Sequence, residues 1–514
     1  MFLKQLLATG SGLLAAAAQT FSNPIIWEDL PDNEVTRVDN TFYMTASSFH
    51  LSPGAPILRS YDLVNWEPIG YSVPTLDFGP GYDMTDSQTA YVAGIWASTL
   101  RHREFDDKWY FLACVGFSKT YIYVADEADG TWSRHSTIDQ CFYDAGFLFE
   151  GDAVYVAYGN TKINVAQLSS DLTSVVANEL VFETPTDIGA LEGSRMYHRD
   201  GNYYIFVTRP PNAQYMLKSS SPWGPFQYRV LCDNVALTSV PGGGAPHQGS
   251  LIDTPDGNWY YMGFTDIYPG GRAPVLAPIT WGDDGFPSLV TINGEWGDYP
   301  YPLPEVKQSD TLGLYEFQGS TLGPQWQWNH NPDPGSFTVN NGLELRTATV
   351  TQDIYLARNT LTHRIRGPVG TGTVHLDFTG MADGDRAGLS LFRDDSAMIG
   401  IEREGDSWSL IVRRSVMDEG KKYGESVEEL ARVDNVAFSE VWLRVSADVH
   451  PNRMGQGLLS FSVDNLSFTE LARFDLRRTW PFFLGYRYGI YNYATKGLGG
   501  FVRVSSFLNE VANE

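Results

Sequence analysis

Tyr143-Asp144-Ala145-Gly146-Phe147-Leu148-Phe149-Glu150-Gly151-Asp152-Ala153-Val154-Tyr155-Val156-Ala157-Tyr158-Gly159-Asn160-Thr161-Lys162-Ile163-Asn164-Val165-Ala166-Gln167 holds one whole unit of a repeat. A polar opening leads into a β run and a Gly-Asp turn. An aromatic second run and a further strand follow. Val, Tyr and Phe suit a pleated, half-buried surface, and Gly-Asp suits a tight reversal. The same plan opens at Pro31-Asp32-Asn33-Glu34-Val35, Ile95-Trp96-Ala97-Ser98-Thr99, Leu191-Glu192-Gly193-Ser194-Arg195 and Pro246-His247-Gln248-Gly249-Ser250. From Asp32, Ala97, Asp144, Glu192 and His247 to Tyr43, Tyr110, Tyr155, Tyr204 and Tyr260 the spacing is 11, 13, 11, 12 and 13 residues. Third strands are expected at Pro56–Ser60, Tyr121–Ala125, Ile163–Gln167 and Tyr215–Ser219.

Several strands per unit at a period of roughly 40 to 65 residues is the pattern of propeller blades. Five units predict a five-bladed β-propeller over residues 20–304. A solenoid would need a helix or a much shorter strand in each unit, and a stacked sandwich fits the register less well. The proline-rich Pro300-Tyr301-Pro302-Leu303-Pro304 breaks the repeat and reads as a linker. From Leu314-Tyr315-Glu316-Phe317 onward, short alternating strands such as Thr373–Phe378, Ser409–Val412 and Val441–Val445 succeed one another. Turns at Asp383-Gly384-Asp385 and Glu404-Gly405-Asp406 separate them, which predicts an antiparallel β-sandwich over residues 305–514.

Composition agrees. Aromatic residues make up 14% of the 514, with 50 Gly and 28 Pro, which excludes disorder and a mainly helical fold. A formal net charge of −25 excludes a nucleic-acid backbone as partner. Residues 1–19 carry one Lys, a short apolar run and Ala15-Ala16-Ala17-Ala18, the pattern of a secretory signal. No other run has the length to span a bilayer, so the expectation is a secreted, extracellular monomer without membrane or nucleic-acid partners. Cys114, Cys141 and Cys232 fit neither a zinc site nor a disulfide framework. One disulfide plus a free thiol, or three buried thiols, are both open. Asn465-Leu466-Ser467 is a glycosylation sequon.

In a propeller, equivalent positions on different blades converge around one axis. The aligned openings bring together Asp32, Asp144 and Glu192, with His247 from a further blade. Like charges at close quarters raise the pKa of at least one carboxyl group, so that one acid stays protonated beside an ionised one. Hydrolysis of a glycosidic bond needs that pair.

At this point the chain resembles a known family. Asn23-Pro24-Ile25, Leu30-Pro31-Asp32-Asn33-Glu34-Val35, Gly94-Ile95-Trp96-Ala97-Ser98-Thr99-Leu100-Arg101, Tyr143-Asp144-Ala145-Gly146 and Leu191-Glu192-Gly193-Ser194-Arg195 resemble, in order, glycoside hydrolase family 43. Pro246-His247-Gln248-Gly249 and Gly271-Arg272-Ala273-Pro274-Val275-Leu276 continue the set. Gln325-Trp326-Gln327-Trp328-Asn329-His330-Asn331-Pro332 resembles the concanavalin-like (jelly-roll) sandwich behind the propeller in the family's xylosidases and arabinofuranosidases.

The resemblance implies an inverting hydrolase. Asp32 matches its general base, Glu192 its general acid, and Asp144 the carboxylate that holds up the acid's pKa and orients it. The Asp32 and Glu192 carboxyl groups are then expected roughly 6.5 to 9.5 Å apart. His247 matches an axial histidine beside a central ion or water. A structural Ca²⁺ in the channel with His247 as ligand is left open, and no cofactor is required. Arg272 matches an arginine reaching the sugar site, against a structural salt bridge, and Trp96 is placed for stacking on sugar or for packing.

Asn33-Glu34 after Asp32 departs from the family's usual Asp-Pro-Ser, and Asp29 and Glu34 stand near as rival bases. Ser47-Ser48-Phe49-His50-Leu51-Ser52-Pro53-Gly54, with Tyr268-Pro269-Gly270-Gly271-Arg272, looks more like fungal arabinoxylan arabinofuranohydrolases. The expectation is release of α-L-arabinofuranose side chains from arabinoxylan. The alternatives are a β-xylosidase acting on xylo-oligosaccharides and a secreted carbohydrate-binding propeller without turnover. The sandwich is expected to bind polysaccharide, wall the pocket or only stabilise the propeller.

Overall fold

A computed structural model describes residues 19–417 and 427–512. Apart from Gln19, the expected signal segment, residues 1–19, lies outside the described residues. Strands make up nearly all the regular structure, with four single-turn 3₁₀ segments beside them. Five antiparallel four-stranded sheets form the propeller, each from four strands consecutive along the chain, except that in the first blade a two-residue strand, Leu51–Ser52, intervenes and joins another sheet. Their innermost strands are Glu34–Val38, Thr99–Arg103, Gly146–Glu150, Glu192–Arg199 and His247–Asp253, which pack round the axis. These are the repeat openings read from the sequence. The second strands carry the aromatic runs, and alternation puts Phe111, Val156, Phe206 and Met262 into the packing between blades.

Each blade has a fourth, outer strand that the sequence pattern did not reveal: Glu67–Val73, Ser133–Ile138, Val175–Glu183, Gln227–Asp233 and Pro287–Leu289. They are short of apolar alternation because they lie at the rim. In Val175–Glu183, no residue is fully buried.

Among the described residues no strand is exchanged between the first and last blades. The ring closes through the segment after Thr20: Asn23 exchanges two side-chain hydrogen bonds with the Leu276 backbone, and Ile25 and Leu30 donate to the Pro274 and Arg272 carbonyls. Thr20–Phe21 also pairs with Tyr299–Pro300.

From Gly313 the chain builds two eight-stranded antiparallel sheets around a core of Leu361, Val374, Leu389, Ile399, Leu443, Tyr488 and Phe507. One sheet ends on a propeller strand: Leu51–Ser52 pairs with Trp326–Asn329. Asn331 locks the junction, accepting from the Ser52 hydroxyl and the Leu76 amide and donating to the Leu76 carbonyl and Asp83. Arg364 Nε donates to the Asp29 carbonyl, and Arg366 pairs with the buried Glu28. Cys114 and Cys141 form a disulfide and Cys232 is a buried free thiol, which settles the alternatives left by the sequence.

Candidate active site

Asp32 and Asp144 each sit two residues ahead of an innermost strand, and both adopt left-handed backbone, φ 55° and 50°. Asp tolerates this region because its short side chain bonds locally. Glu192 and His247 instead open their strands at bulges. Between Glu192 and Arg195, and between His247 and Ser250, two residues face one on the partner strand. Such bulges re-aim side chains near functional sites. Blades three and four also approach closely here: a Cβ on Gly146 would lie 2.6 Å from the Ser194 carbonyl oxygen.

These turns and bulges deliver Asp32, Asp144, Glu192, Trp96, His247 and Arg272 to one cavity of about 620 Å³. All six residues singled out by the sequence line it. Asp32 Oδ2 accepts from Ser47 Oγ at 2.6 Å, and Oδ1 pairs with Arg272 Nη1 at 2.7 Å. Asp144 is buried and accepts from the Gly193 amide. Burial, followed by the charges of Glu192 and Asp32, holds its carboxyl well above the usual range. Burial and the Asp32 charge also raise Glu192, against opposing hydrogen bonds from Asn160 and Tyr143. Both donors bond Oε2, Asn160 through Nδ2 and Tyr143 through its hydroxyl at 3.4 Å. Neither of these donors bonds Oε1.

The rival acids face elsewhere. Glu34 lies fully buried against Arg101 at 2.7 Å and Arg195 at 3.4 Å, and accepts from the Leu100 amide. Asp29 accepts from the backbone amides of Arg272 and Gly485. Neither lines the cavity, so Asp32 is the carboxylate of the three that reaches it.

Arg272 combines the two roles considered for it, an ion pair and a place in the cavity wall. Trp96 donates its indole N–H to the Val92 carbonyl, which fixes the ring among Phe49, Phe117 and Phe483. His247 Nδ1 faces the Ala245 carbonyl at 3.1 Å, so Nδ1 carries the proton and Nε2 is an acceptor. Burial pushes this imidazole below its usual value, toward the neutral form. Among the described residues no three His, Cys, Asp or Glu side chains gather to hold an ion.

A second lobe of about 420 Å³ adjoins the first and shares Trp96, Ala97, Tyr143, Asp144 and Phe483 with it. Its other walls are largely apolar and include Val92, Phe117 and Pro481. Sequence reasoning did not find Phe49, Tyr143, Arg478, Trp480 or Phe483. Phe49 and Tyr143 stood inside quoted motifs. The other three come from the sandwich, whose segment 478–483 folds over the propeller mouth, and nothing local in the sequence announces that.

The family model described as glycosyl hydrolases family 43 matches residues 21–287, and that of the beta xylosidase C-terminal concanavalin A-like domain matches residues 315–508. The chain belongs to glycosyl hydrolase family 43. It is thus a glycosidase that hydrolyses O-glycosyl bonds. A beta-xylosidase of Formosa agariphila is 27% identical over 95% of this family 43 chain and 90% of its own length. A non-reducing-end alpha-L-arabinofuranosidase of Bacteroides ovatus is 24% identical over 83% of this chain and 84% of its own. One solved family 43 glycoside hydrolase superposes with TM-score 0.92 and 43% identity, covering 96% of this chain and 100% of that one. It is described as engineered at its active site to display both endo-xylanase and exo-arabinofuranosidase activity. The two-domain family 43 architecture, propeller followed by concanavalin-like sandwich, is the one the repeat and the alternating strands predicted.

Proposed function

We propose that this family 43 enzyme is exported and removes α-L-arabinofuranosyl branches from arabinoxylan with inversion of configuration. The observation that carries the reading is the two-lobed cavity. A branch sugar fits the lobe that holds Asp32, Asp144 and Glu192, while the main chain to which it is attached lies along the aromatic lobe beyond Trp96 and Tyr143. The 43% identity to a solved enzyme described with exo-arabinofuranosidase activity supports the same substrate class. The β-xylosidase alternative keeps support from the Formosa agariphila relative.

In the proposed reaction Asp32 takes a proton from a water molecule as the water oxygen bonds to the anomeric carbon. The bond from that carbon to the glycosidic oxygen breaks on the opposite face, and the proton on Glu192 passes to the departing oxygen. Asp32 and Glu192 have separate hydrogen-bond partners and line the same cavity, which suits a base and an acid acting from opposite sides. Asp144 is assigned the part of the orienting, pKa-raising carboxylate, since it lines the same cavity and like charges there disfavour one another's ionised forms. Export is supported by the Cys114–Cys141 disulfide, a bond that persists in oxidising compartments.

Digestion of arabinoxylan and arabinan, followed by proton NMR of the first-formed products, tests the reading. Monomeric arabinose of inverted configuration is expected. Exclusive release of xylose from linear xylo-oligosaccharides would establish the β-xylosidase alternative instead. Asp32→Asn and Glu192→Gln are each expected to lower turnover by about 10² to 10⁴. Near wild-type release by both would overturn the assignment of Asp32 and Glu192 as base and acid.

A further inference from the structure

At the end of the sandwich where its two sheets meet, an open groove of about 510 Å³ is lined by Trp408, Val436, Phe438, Glu440, Trp442 and Val463. None of these residues lines either lobe of the active site. Trp442 has two cross-strand neighbours on its face of the sheet. His375 stacks on the indole at 3.9 Å with an angle of 2° between the planes, and Ser462 stands on the other side. Ser462 is too small to cover the second face of the ring. His375 is itself fixed, by Ser505 at one ring nitrogen and Glu440 at the other. On the opposite sheet the Arg403 guanidinium lies 4.9 Å from the Trp408 ring centre, and Phe378 packs beside it at 5.2 Å. Neither indole N–H is hydrogen-bonded among the described residues, and neither is sealed from solvent.

Two flat rings, each backed on one side, therefore open onto one groove whose rim adds the Ser439 and Glu440 polar groups. A rigid aromatic body with a free polar edge is what recognises a ligand apolar on its faces and polar at its rim. A pyranose has that form: C–H groups on its faces and hydroxyls around its edge. The groove's one acidic side chain is already engaged in a hydrogen bond with His375, and the rest of the lining is neutral, which suits an uncharged ligand.

We propose that this groove is a second glycan-binding site, which holds an unsubstituted stretch of β-linked xylan backbone while the propeller works elsewhere on the same polymer. The inference rests on the substrate class proposed above. A polysaccharide is far longer than the catalytic cavity, and a second contact on the same molecule raises the effective concentration of branches at the first.

The test uses the full chain carrying Glu192→Gln, to stop turnover, and Ser467→Ala, to keep any glycan off Asn465, which lies two residues from the groove wall at Val463. Retention on insoluble, debranched xylan is measured for this protein and for the same protein with Trp408→Ala and Trp442→Ala. Loss of the two rings is expected to weaken retention on the order of tenfold. Val463→Asp, at an exposed position, places a charge in the groove without touching the core and is expected to weaken it as well. In the active enzyme these changes leave hydrolysis of a small aryl glycoside unchanged, which shows the fold intact. Retention equal to the parent in both variants overturns the proposal. Retention that depends on the rings in an enzyme releasing no arabinose supports the groove and removes the substrate reading alone.

Discussion

The wall that the sandwich lends to the active site hangs on one side chain. Arg393 is fully buried, and its guanidinium donates to three carbonyls of a single segment: Leu484 at 2.8 Å, Arg477 at 2.9 Å and Thr479. That segment carries Arg478, Trp480 and Phe483 into the cavity, and its Phe483 carbonyl accepts from Arg272, the partner of Asp32. In Arg393→Met the three carbonyls lose their donor. At about 1 to 3 kcal/mol for each buried unsatisfied group, the docked segment is disfavoured by roughly 3 to 9 kcal/mol. Lifting off rehydrates the carbonyls but exposes Phe482 and Leu484, at about 1.5 to 3 kcal/mol each. The two costs are comparable, so the balance moves from firmly docked toward open. Misplacing cavity groups by even an ångström lowers rates by about 10²-fold, and a fall of that order in kcat/KM on an aryl glycoside is expected. KM carries more of it than kcat, because the wall holds substrate while Asp32 keeps its bond to Ser47. Arg393→Lys, with one nitrogen for three carbonyls, restores only part. Hydrogen exchange at the Gly485 amide, bonded to Asp29 when the segment is docked, should accelerate in step. An Arg393→Met enzyme with kcat/KM within threefold of wild type and a protected Gly485 amide would refute the reasoning.

Asp144 offers a test through stability. Its carboxyl is raised in the folded protein, so the fold binds the proton more tightly than the unfolded chain, and stability is lost as pH rises from the usual value of 3.8 through the folded pKa. Asp144→Asn should therefore melt at a higher temperature than wild type at pH 7, with the gain vanishing below pH 3.8. Melting curves that stay parallel across pH would contradict this. Glu34→Gln breaks the buried pairing with Arg101 and Arg195 and should cost about 3 to 5 kcal/mol in a denaturant titration. Asp32→Asn should instead remove turnover with little change in the same titration, and the reverse assignment of losses would make Glu34 the base. The Cys114–Cys141 disulfide closes a loop of 27 residues and should contribute about 3 to 4 kcal/mol, read as a lower melting temperature under reductant. An unchanged melt would count against it.

The propeller was legible because each blade repeats a local pattern, and a pattern that recurs five times identifies equivalent positions without any long-range information. That is why Asp32, Asp144, Glu192 and His247 could be placed together from spacing, with Trp96 from the same register. Local reading could not separate Asp32 from Asp29 and Glu34. The choice depends on Arg101, Arg195 and the Gly485 amide, which come from other blades and from the sandwich. The outer strands escaped for the opposite reason: at the rim, with one face in water and no neighbour to cover, Val175–Glu183 has no need of an alternating apolar side.

The electrostatics explain why the sandwich is built into the catalytic site. Asp32, Asp144 and Glu192 share one cavity, and Arg272 is the cation that pairs with one of them there. Like charges this close disfavour one another's ionised forms, and a site with a base and an acid needs the charge kept on Asp32 and the proton kept on Glu192. The position of Arg272 decides that division, since moving its guanidinium from Asp32 toward the other pair would ionise the acid. Two contacts fix it: the Asp29 carboxylate bonds its backbone amide, and the Phe483 carbonyl bonds Nη2. Asp29 is held in turn by Gly485, so both contacts end on the same short stretch of the sandwich. A propeller alone would supply all three acids yet lack the framework that holds the arginine on the correct one.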